Sequence, residues 1–312
     1  MPTVSVVIPT YKRPDFLVEA VESVLAQTYQ DFEIIVIDDG SEDDTKSRLT
    51  GFIEKTPAAQ GRTFFYEQKN SGSAIARNRG IFYSKGEYVA FLDSDDLWYP
   101  TKLEKQVKIL YENPEIGVVY TDCYCGESAS DPNQQGFFAN ANPPSGMIFE
   151  RMLRNNLFWT SSLLLRKEVF ILAGTFDPTL RRCQDYDLWL RICYYNPCHF
   201  IPEILGLFRE HPNRITKNHV LGEHKCHAFA IQAIRWQNDK MASQRFRRRA
   251  AGMFSSIAKQ YFKHSDTKNA VRCLKKAIQL GAPPLRNRLL IFLLSYCPWV
   301  MKWYYSRQER LK

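Results

Sequence analysis

The chain has 312 residues, of which 45% are hydrophobic, and this supports a substantial core in one large domain plus a smaller one. Its eight cysteines form no C-x-x-C pair and no regular disulfide spacing, which argues against a disulfide framework and suits a reducing cytosol. The first apolar run begins almost at Met1, so no signal peptide is expected and the active domain is predicted to be cytoplasmic.

The net charge of +9 is distributed unevenly along the chain. Residues 1–204 contain 20 Lys/Arg and 28 Asp/Glu, a net of −8, whereas residues 205–312 contain 22 and 5, a net of +17. The basic C-terminal third predicts an anionic partner, such as a membrane surface or a phosphorylated substrate. No nucleic-acid-binding motif is recognised, so a nucleic acid is not expected as the partner.

Two short apolar runs near the N-terminus, residues 4–8 and 32–37, predict buried parallel strands. A helix is predicted after each run, the first over residues 14–27 with apolar residues three and four apart. Ser41 is expected to cap the second helix. The polar and turn residues that end the two strands are Pro9, Thr10 and Tyr11, then Asp38, Asp39, Gly40 and Ser41. Strands that alternate with helices and end at such residues indicate a nucleotide-binding layer.

The stretch from Glu87 to Asp96 predicts another strand, followed by three carboxylates within four residues: Asp93, Asp95 and Asp96. Like charges this close repel, so a fold that keeps them together usually has a cation nearby. Hard divalent cations such as Mg²⁺ or Mn²⁺ commonly bridge one or two carboxylates to the phosphates of a substrate. The alternative is a solvated acidic turn that caps the next helix.

The middle of the chain predicts further alternation of strands and helices. A helix follows residues 70–73 and another covers about 101–112, while residues 116–120, 161–165 and 200–209 are predicted strands. Residues 124–146 are rich in Gly, Pro, Asn and Ser, and a lid near the substrate is plausible there. A short helix is expected from Lys167, and another begins near Gln184 with acids in its first turn.

The basic C-terminal third predicts helices over residues 222–238, 242–263 and 267–280. The last segment is apolar, aromatic and flanked by arginines, but it contains Pro298 and Lys302 and makes a poor membrane span. We expect it to lie at a membrane surface, with a helix packed on the protein as the alternative. Four arginines among residues 245–249 suit lipid phosphates. The predicted domains are residues 1–218, 219–284 and 285–312.

Five segments taken together resemble glycosyltransferase family 2, in order, over roughly residues 3–217. They are Ser5–Tyr11, Ile37–Ser41, Ala76–Asn78, Phe91–Asp96 and Gln184–Arg191. The resemblance implies an α/β structure of the GT-A fold. Its central sheet is mixed, mostly parallel and flanked by helices, and a C-terminal helical extension follows. It also implies a nucleotide-sugar donor and a saccharide or lipid-linked glycan as acceptor.

The resemblance also implies a role for each matching residue. Asp38 accepts a hydrogen bond from the base, and Arg77 approaches the base or the diphosphate. Asp185 matches the family's catalytic base, although Gln184 stands where a Glu is common. The donor is predicted to lie along Pro9, Thr10, Tyr11, Asp38, Asp39, Arg77, Asp93 and Ser94. The predicted ligands of Mn²⁺ or Mg²⁺ are Asp95, Asp93 and His211.

Glycosyl transfer explains these residue types, because a metal neutralises charge on the leaving diphosphate and a carboxylate accepts the proton of the attacking hydroxyl. The sequence therefore predicts a metal-dependent, inverting glycosyltransferase that uses a UDP-sugar. It is expected to work peripherally on the inner face of the cytoplasmic membrane, in the assembly of surface polysaccharide or glycolipid. The donor sugar, the acceptor and the oligomeric state stay open.

Several alternatives remain at the level of sequence. Asp187 competes with Asp185 for the role of base, and Asp39 competes with Asp38 for the nucleotide. Arg77 and His211 are each compatible with an ordinary solvated position. A sugar nucleotidyltransferase is the first rival, although residues 9–14 lack the glycines of its loop. A basic binding module without catalysis and an inactive member of the family are the others.

Overall fold

The computed structural model describes residues 1–128, 135–138, 141, 143–180, 182–211, 229, 232, 235, 236, 238–263, 266–282, 290 and 291. The chain divides into two compact units. The first comprises Met1–Thr179 and Gln184–Arg214, and the second comprises Leu180–Cys183 and Ile215–Lys312. The predicted boundaries near residues 218 and 284 lie outside the described residues and stay predictions.

The described strands of the first unit form a single sheet. In chain order they are β1 (Val4–Thr10), β2 (Phe32–Asp38), β3 (Thr63–Glu67), β4 (Tyr88–Phe91), β5 (Leu97–Trp98), β6 (Val118–Gly126), β7 (Leu164–Arg166) and β8 (Cys198–Arg209). Among the residues that the structure describes, the sheet has eight strands in the order β3-β2-β1-β4-β7-β6-β8-β5. Strand β7 is antiparallel to β4 and β6, β5 is antiparallel to β8, and the other pairs are parallel. The predicted mixed, mostly parallel sheet is therefore confirmed.

The helices of the first unit flank this sheet. They are α1 (Pro14–Leu25), α2 (Thr45–Lys55), α3 (Ser73–Tyr83), α4 (Lys102–Glu112), α5 (Phe149–Arg154), α6 (Val169–Ala173) and α7 (Gln184–Tyr195). Helix α1 begins with a proline at its first turn, where the missing N–H costs nothing. It buries Leu17, Ala20 and Val24 in the same cluster as the buried residues of β1 and β2. Burial of the strands on both faces explains their unbroken apolar sequence.

Helix α3 packs closely on β1 because Gly80 has no side chain. A Cβ atom at Gly80 would lie 2.1 Å from Cγ1 of Val7, a distance that real atoms do not reach. The contact therefore requires glycine at this position. It brings α3, which contains Arg77, directly onto the strand that ends at Thr10.

The strand directions place several chain segments at one edge of the sheet. Thr10 is paired with Asp38 at the carboxyl ends of β1 and β2, and β4 runs parallel to β1 up to Phe91. Strands β6 and β8 point the same way, so Arg209 also ends at this edge. Ligands of open α/β sheets bind outside such an edge. Residues 93–96 and 209–211 are thus brought to the edge where the first two strands end.

The second unit contains a pair of described helices, α8 (Lys240–Lys263) and α9 (Thr267–Gln279). They bury a cluster that includes Ala251, Phe254, Ala270 and Leu274. Asp266 caps α9, because its side chain accepts a hydrogen bond from the N–H of Asn269. No helix in the described part of the chain is both long enough and apolar enough to span a bilayer.

Three local predictions differ from the structure. Ser41 does not cap α2, which begins at Thr45, because its hydroxyl donates to Asp38 instead. The strand predicted over residues 161–165 begins only at Leu164, since residues 160–162 form a 3₁₀ turn. Strand β3 was not predicted. The helix predicted over 222–238, most of the segment 285–312, and residues 129–134, 139, 140 and 142 of the predicted lid lie outside the described residues.

Candidate active site

The first two acids of the run after β4, Asp93 and Asp95, each contact a basic side chain. Nη2 of Arg77 lies 2.5 Å from Oδ1 of Asp93, and Arg77 is buried on α3 with its guanidinium over the ring of Phe176. Nη1 of Arg13 lies 2.6 Å from Oδ2 of Asp95. The run therefore has the neighbouring positive charge that close carboxylates require. Ser94, between them, is buried with 3% of its surface exposed.

A second basic group reaches Asp95 from the end of β8. Nε2 of His211 lies 2.9 Å from the same Oδ2 atom that Arg13 contacts. The imidazole also lies against the ring of Phe16, 5.3 Å between centroids. The side chain of His211 is therefore buried beside Asp95 and does not point into solvent from a loop. Its role as a metal ligand stays a prediction.

Asp96 differs from the other two acids of the run because its partners hold it inside the fold. Oδ2 accepts hydrogen bonds from Nε1 of Trp159 and Oγ of Ser161, and Oδ1 accepts one from the N–H of Arg209. Burial raises the pKa of Asp96 well above its usual range. Asp96 thus joins the turn after β4 to β8 and to the segment before β7. Ser161 also accepts from the N–H of Asp93, at 3.1 Å.

The ends of β1 and β2 form a second group at this edge. Asp38 is almost fully buried, accepts hydrogen bonds from the N–H and hydroxyl of Ser41, and has its pKa raised by burial. Pro9 is buried within β1 and Tyr11 is 43% exposed. Oγ1 of Thr10 is buried without a hydrogen-bond partner among the described residues. An unpaired buried hydroxyl beside Asp38 favours a ligand that completes the site.

Asp39 is occupied by the loop that leads into α3. Its Oδ1 accepts from Nε2 of Gln68 and the N–H of Ser71, and its Oδ2 accepts from the N–H of Gly72. Both oxygens therefore have partners from the protein. This arrangement favours Asp38 over Asp39 for contact with a nucleotide, and the predicted role of Asp39 stays a prediction.

Asp185 lies in the first turn of α7. Its carboxylate interacts electrostatically with Arg77, as do those of Asp93 and Asp95. The carboxylates of Asp93, Asp185 and Asp95 stabilise the charge of Arg77 and outweigh the effect of its burial, so the pKa of the guanidinium lies above its ordinary value. Burial in turn raises the pKa of Asp185, against the opposing effects of the Tyr186 N–H and Arg77. The site residues predicted on three separate elements are therefore within electrostatic reach of one guanidinium.

Asp187 is excluded as the base by its surroundings. Its side chain is fully buried, and Oδ2 lies 2.8 Å from Nη2 of Arg191, one turn further along α7. Arg191 also donates to the backbone oxygens of Ala173 and Thr175. Asp187 therefore fixes α7 to the segment after α6. Gln184, where a Glu is common in the family, donates to Oγ of Ser73 at the start of α3.

The described residues suit a metal ion only together with a substrate. No three His, Cys, Asp or Glu side chains in the described ranges cluster closely enough to hold a metal by themselves. Nε2 of His211 nevertheless contacts Oδ2 of Asp95. Asp93 lies two residues before Asp95, after the same strand. Mg²⁺ commonly uses one or two carboxylates together with substrate phosphates and water. The donor set therefore fits Mn²⁺ or Mg²⁺ bound jointly with a diphosphate.

Two further basic residues belong to the site: Arg13, which was not assigned a role from the sequence, and Arg209, whose segment resembles one in which an Arg or His contacts the diphosphate or metal. Arg13, before α1, contacts Asp95, and Arg209 donates to Glu19 and lies over the ring of Phe16. In the sequence, Arg13 follows the carboxyl end of one predicted strand and Arg209 ends another. Their partners are distant in the chain, so spacing could not reveal these contacts.

Comparison with known proteins decides the family. The model of glycosyl transferase family 2 matches residues 5–171, more than half of the chain. The chain belongs to glycosyltransferase family 2. The matched region includes every predicted site residue except Asp185 and His211. The resemblance inferred from the sequence is thereby confirmed.

The relatives of this family member are bacterial and archaeal glycosyltransferases. An uncharacterised glycosyltransferase of Rickettsia typhi is 34% identical over 221 residues, which are 69% of this chain and 66% of the relative. TuaG of Bacillus subtilis, whose name refers to teichuronic acid biosynthesis, is 31% identical and covers 70% of this chain and 82% of its own length. The chain spans about two thirds of two rickettsial relatives and about one third of three others.

Solved structures confirm the GT-A fold. TarS of S. aureus, residues 1–349 with UDP-GlcNAc, matches with a TM-score of 0.68 at 17% identity, over 95% of this chain and 87% of TarS. The mannosyltransferase PcManGT of Pyrobaculum calidifontis, with GDP-Man and Mn²⁺, matches with a TM-score of 0.57 at 20% identity, over 96% and 82%. At these identities the likeness concerns the fold alone.

Proposed function

We propose that this glycosyltransferase is metal-dependent and inverting, and that it transfers a sugar from a UDP-sugar to a hydroxyl of a saccharide or lipid-linked saccharide. The observation that carries the proposal is the position of Arg77, which gathers the charges of Asp93, Asp95 and Asp185 at one sheet edge. A donor diphosphate, a metal and a general base need this proximity.

The donor side of the cleft is assigned to the ends of β1, β2 and β4. Asp38 accepts an N–H of the base, and the unpaired hydroxyl of Thr10 lies beside it. Pro9, Tyr11 and Ser94 line the path toward the diphosphate. The structures of TarS with UDP and with UDP-GlcNAc support a uridine nucleotide, while PcManGT with GDP-Man supports a nucleoside diphosphate donor more broadly.

Asp185 is the general base of the proposed reaction. Its pKa is raised by burial, which strengthens it as a proton acceptor. The acceptor hydroxyl attacks the anomeric carbon and loses its proton to Asp185, while the bond from that carbon to the diphosphate breaks. The nucleoside diphosphate leaves with the bonding electrons. One displacement from the opposite face inverts the anomeric carbon.

The charge on the leaving diphosphate is balanced from the protein by the groups around Asp95. Asp95 and His211 would hold the divalent ion, with Asp93 oriented by Arg77 and by the hydroxyl of Ser161. The ion supplies charge neutralisation for the leaving group when it is bound. Arg77 is aimed at the same region by its stacking on Phe176.

A direct assay tests this function. Purified full-length protein is incubated with a panel of nucleotide sugars and Mn²⁺ or Mg²⁺, and nucleotide release and thermal shift are measured. We expect a UDP-sugar to stabilise the protein and to release UDP in a metal-dependent manner. Asp95→Ala should abolish the metal-dependent transfer while the protein stays folded, whereas the exposed acid Asp15, changed to Asn, serves as the control.

The assay also separates the rival functions. Full activity in the presence of a chelator would refute the metal role of Asp95. Release of pyrophosphate from a nucleoside triphosphate and a sugar phosphate would instead support a nucleotidyltransferase. The absence of a glycine-rich loop between β1 and α1 argues against that rival, because residues 9–14 contain no glycine.

We also propose peripheral association with an anionic membrane on the cytoplasmic side, where a lipid-linked acceptor for surface polysaccharide would be reached. The supporting feature is a set of exposed basic residues on α8 and α9: Arg247, Arg248, Lys259, Lys268 and Lys275. Each basic residue near an anionic bilayer contributes about 1 kcal/mol to binding. The name of TuaG, which refers to teichuronic acid biosynthesis, is consistent with such an acceptor.

Vesicle binding tests the membrane proposal. The double variant Arg247→Glu/Arg248→Glu should bind vesicles of anionic phospholipid much more weakly than the natural protein, while neutral vesicles bind neither. Reversal of two exposed lysines of the first unit, Lys46 and Lys108, provides a control of equal charge. Equal loss in both double variants would show a net-charge effect, and no loss in either would remove the lipid-phosphate proposal.

A further inference from the structure

One oxygen of the Asp95 carboxylate, Oδ2, has two basic neighbours. Arg13 and His211 both contact Oδ2, at 2.6 and 2.9 Å. The side chain of Asp95 is only 12% exposed and that of Arg13 is 24% exposed. The carboxylate that we predict to be a metal ligand is therefore held by a guanidinium that is partly exposed to solvent.

The backbone around Arg13 is fixed while its side chain is comparatively free. The N–H of Lys12 donates to Oγ of Ser41, and Lys12 has a φ of 53° in the left-handed region. The N–H of Leu17 donates to the carbonyl of Arg13, which begins α1. The backbone on either side of Arg13 is thus hydrogen-bonded to the loop after β2 and to α1. The guanidinium can therefore reorient by side-chain rotation without any change in the fold.

We propose that Arg13 makes metal binding depend on the donor: its guanidinium occupies Asp95 in the free protein and moves to the donor's diphosphate when the donor binds. The proposal rests on the function proposed above. It assigns Arg13 as a further diphosphate-binding residue, and it assigns the Arg13–Asp95 ion pair as the contact that couples the two ligands.

The coupling follows from charge competition. A divalent ion that binds Asp95 in the absence of a donor competes with Arg13 for the carboxylate and repels its guanidinium in a partly buried site. A diphosphate offers the guanidinium two oxygens in the geometry that arginine prefers, so the donor removes this penalty. Because linkage is reciprocal, the metal must strengthen donor binding by the same factor.

Arg77 does not offer the same exchange. It is 8% exposed, lies over Phe176 and sits among three carboxylates that stabilise its charge. Arg77 therefore remains with Asp93 as a fixed part of the site, whereas Arg13 has a single carboxylate partner among the described contacts and greater exposure. The two arginines near the D-x-D run have different roles, one fixed and one exchangeable.

The experiment measures binding and does not require turnover. Mn²⁺ affinity of the full chain is determined by electron paramagnetic resonance with and without saturating UDP, with GDP in parallel, after subtraction of Mn²⁺ bound to free nucleotide. In the natural protein we expect the nucleotide to tighten Mn²⁺ binding about 5- to 150-fold. Arg13→Gln should bind Mn²⁺ alone about three- to tenfold more tightly, and should bind UDP more weakly, so the coupling factor falls.

A neighbouring charge gives the matched control. Lys12→Gln removes the same charge one residue away, and its side chain is 45% exposed and pairs only loosely with Glu42 at 3.7 Å. Equal changes in Lys12→Gln and Arg13→Gln would overturn the proposal, because they would show a general effect of net charge. Unchanged Mn²⁺ affinity and coupling in Arg13→Gln would overturn it as well.

The outcomes also separate this inference from the proposed function. Absence of Mn²⁺ binding in the natural protein, even with nucleotide, would refute the metal-dependent function and this inference together. Normal coupling that survives in Arg13→Gln would refute the inference alone. If Arg13→Gln does not fold, Arg13→Lys keeps one charge without the planar fork, and we expect weaker UDP binding with nearly natural affinity for Mn²⁺. Natural UDP affinity in Arg13→Lys would then overturn the inference.

Discussion

Two groups of acids lie at the same edge of the sheet and differ in their partners. Asp93 and Asp95, in the cleft, contact arginine and histidine side chains that a ligand could attract away. Asp39 and Asp96, at the same edge, accept hydrogen bonds mainly from backbone N–H groups and from side chains of the fold. Acids held by the backbone join chain segments, whereas acids paired with side-chain cations remain available for chemistry.

The same distinction divides Asp185 from Asp187 on one helix. Both acids lie in the first turn of α7, yet Asp185 belongs to the cluster around Arg77 while Asp187 is fully buried against Arg191. A pair of substitutions at these positions tests whether the partner type predicts the role.

The largest effect is expected for Asp185→Asn. Loss of a general base costs about 10²- to 10⁴-fold in kcat, because the acceptor hydroxyl then has no positioned proton acceptor. The variant should keep its thermal midpoint and its affinity for UDP, which are measured by differential scanning fluorimetry and calorimetry. Natural turnover in this variant would move the base to another residue and remove the contrast with Asp187.

Asp187→Asn should have the converse effect. Removal of one partner from a buried ion pair destabilises a protein by about 3–5 kcal/mol, since the remaining charge is left without compensation. Chemical unfolding should report this loss, while kcat per folded molecule at low temperature should stay near that of the natural protein. A stable variant with no turnover would contradict the structural role.

Sequence predicted most of the strands and helices that the structure describes, and the acidic edge, because their periodicity and strand ends are local signals, whereas β3, β5 and α5 were not predicted. It could not decide between Asp185 and Asp187, although an Asp–Arg pair four residues apart on α7 is a signal for a structural ion pair. It also assigned no role to Arg13. The partner of Arg13 comes from a different strand, and only the parallel pairing of β1 with β4 brings the two together.

Ser41 illustrates the limit of local rules. A serine before a helix is a frequent cap, but here the buried carboxylate of Asp38 captures its hydroxyl and N–H. Burial of Asp38 could not be inferred from an acid at a strand end. In the same way, Trp159 and Ser161 support the turn after β4 from a segment with no motif, so their role depends on tertiary packing alone.

The pH dependence of turnover should sharpen the contrast further. The base must be ionised to act, so kcat falls as the pH falls through the pKa of Asp185. Burial raises that pKa, and the acidic limb should therefore lie above the value of about 3.9 for an ordinary aspartate. The profile is measured at saturating donor. A limb at or below the ordinary value would contradict the desolvated position of Asp185.

Lys102, on α4, is a buried basic residue that can be compared with these acids. Its ammonium is fully buried, lies 3.9 Å from the centroid of the Trp98 ring and donates to Gln106. Trp98 in turn donates to the backbone oxygen of Ser161. Burial lowers the pKa of Lys102 well below its usual range. Desolvation therefore destabilises the charged form of this lysine.

The smallest expected effect is therefore a change in the slope of the free energy of unfolding against pH. Between the lowered pKa in the fold and about 10.4 in the unfolded chain, the unfolded state binds one more proton, so stability rises with pH. Relative to Lys102→Met, the natural protein should gain up to about 1.4 kcal/mol per pH unit in its free energy of unfolding as the pH rises toward about 10.4. Lys105→Met, on the exposed side of α4, is the control and should leave the slope unchanged. Parallel curves for Lys102→Met and the natural protein would mean that Lys102 stays charged in the fold.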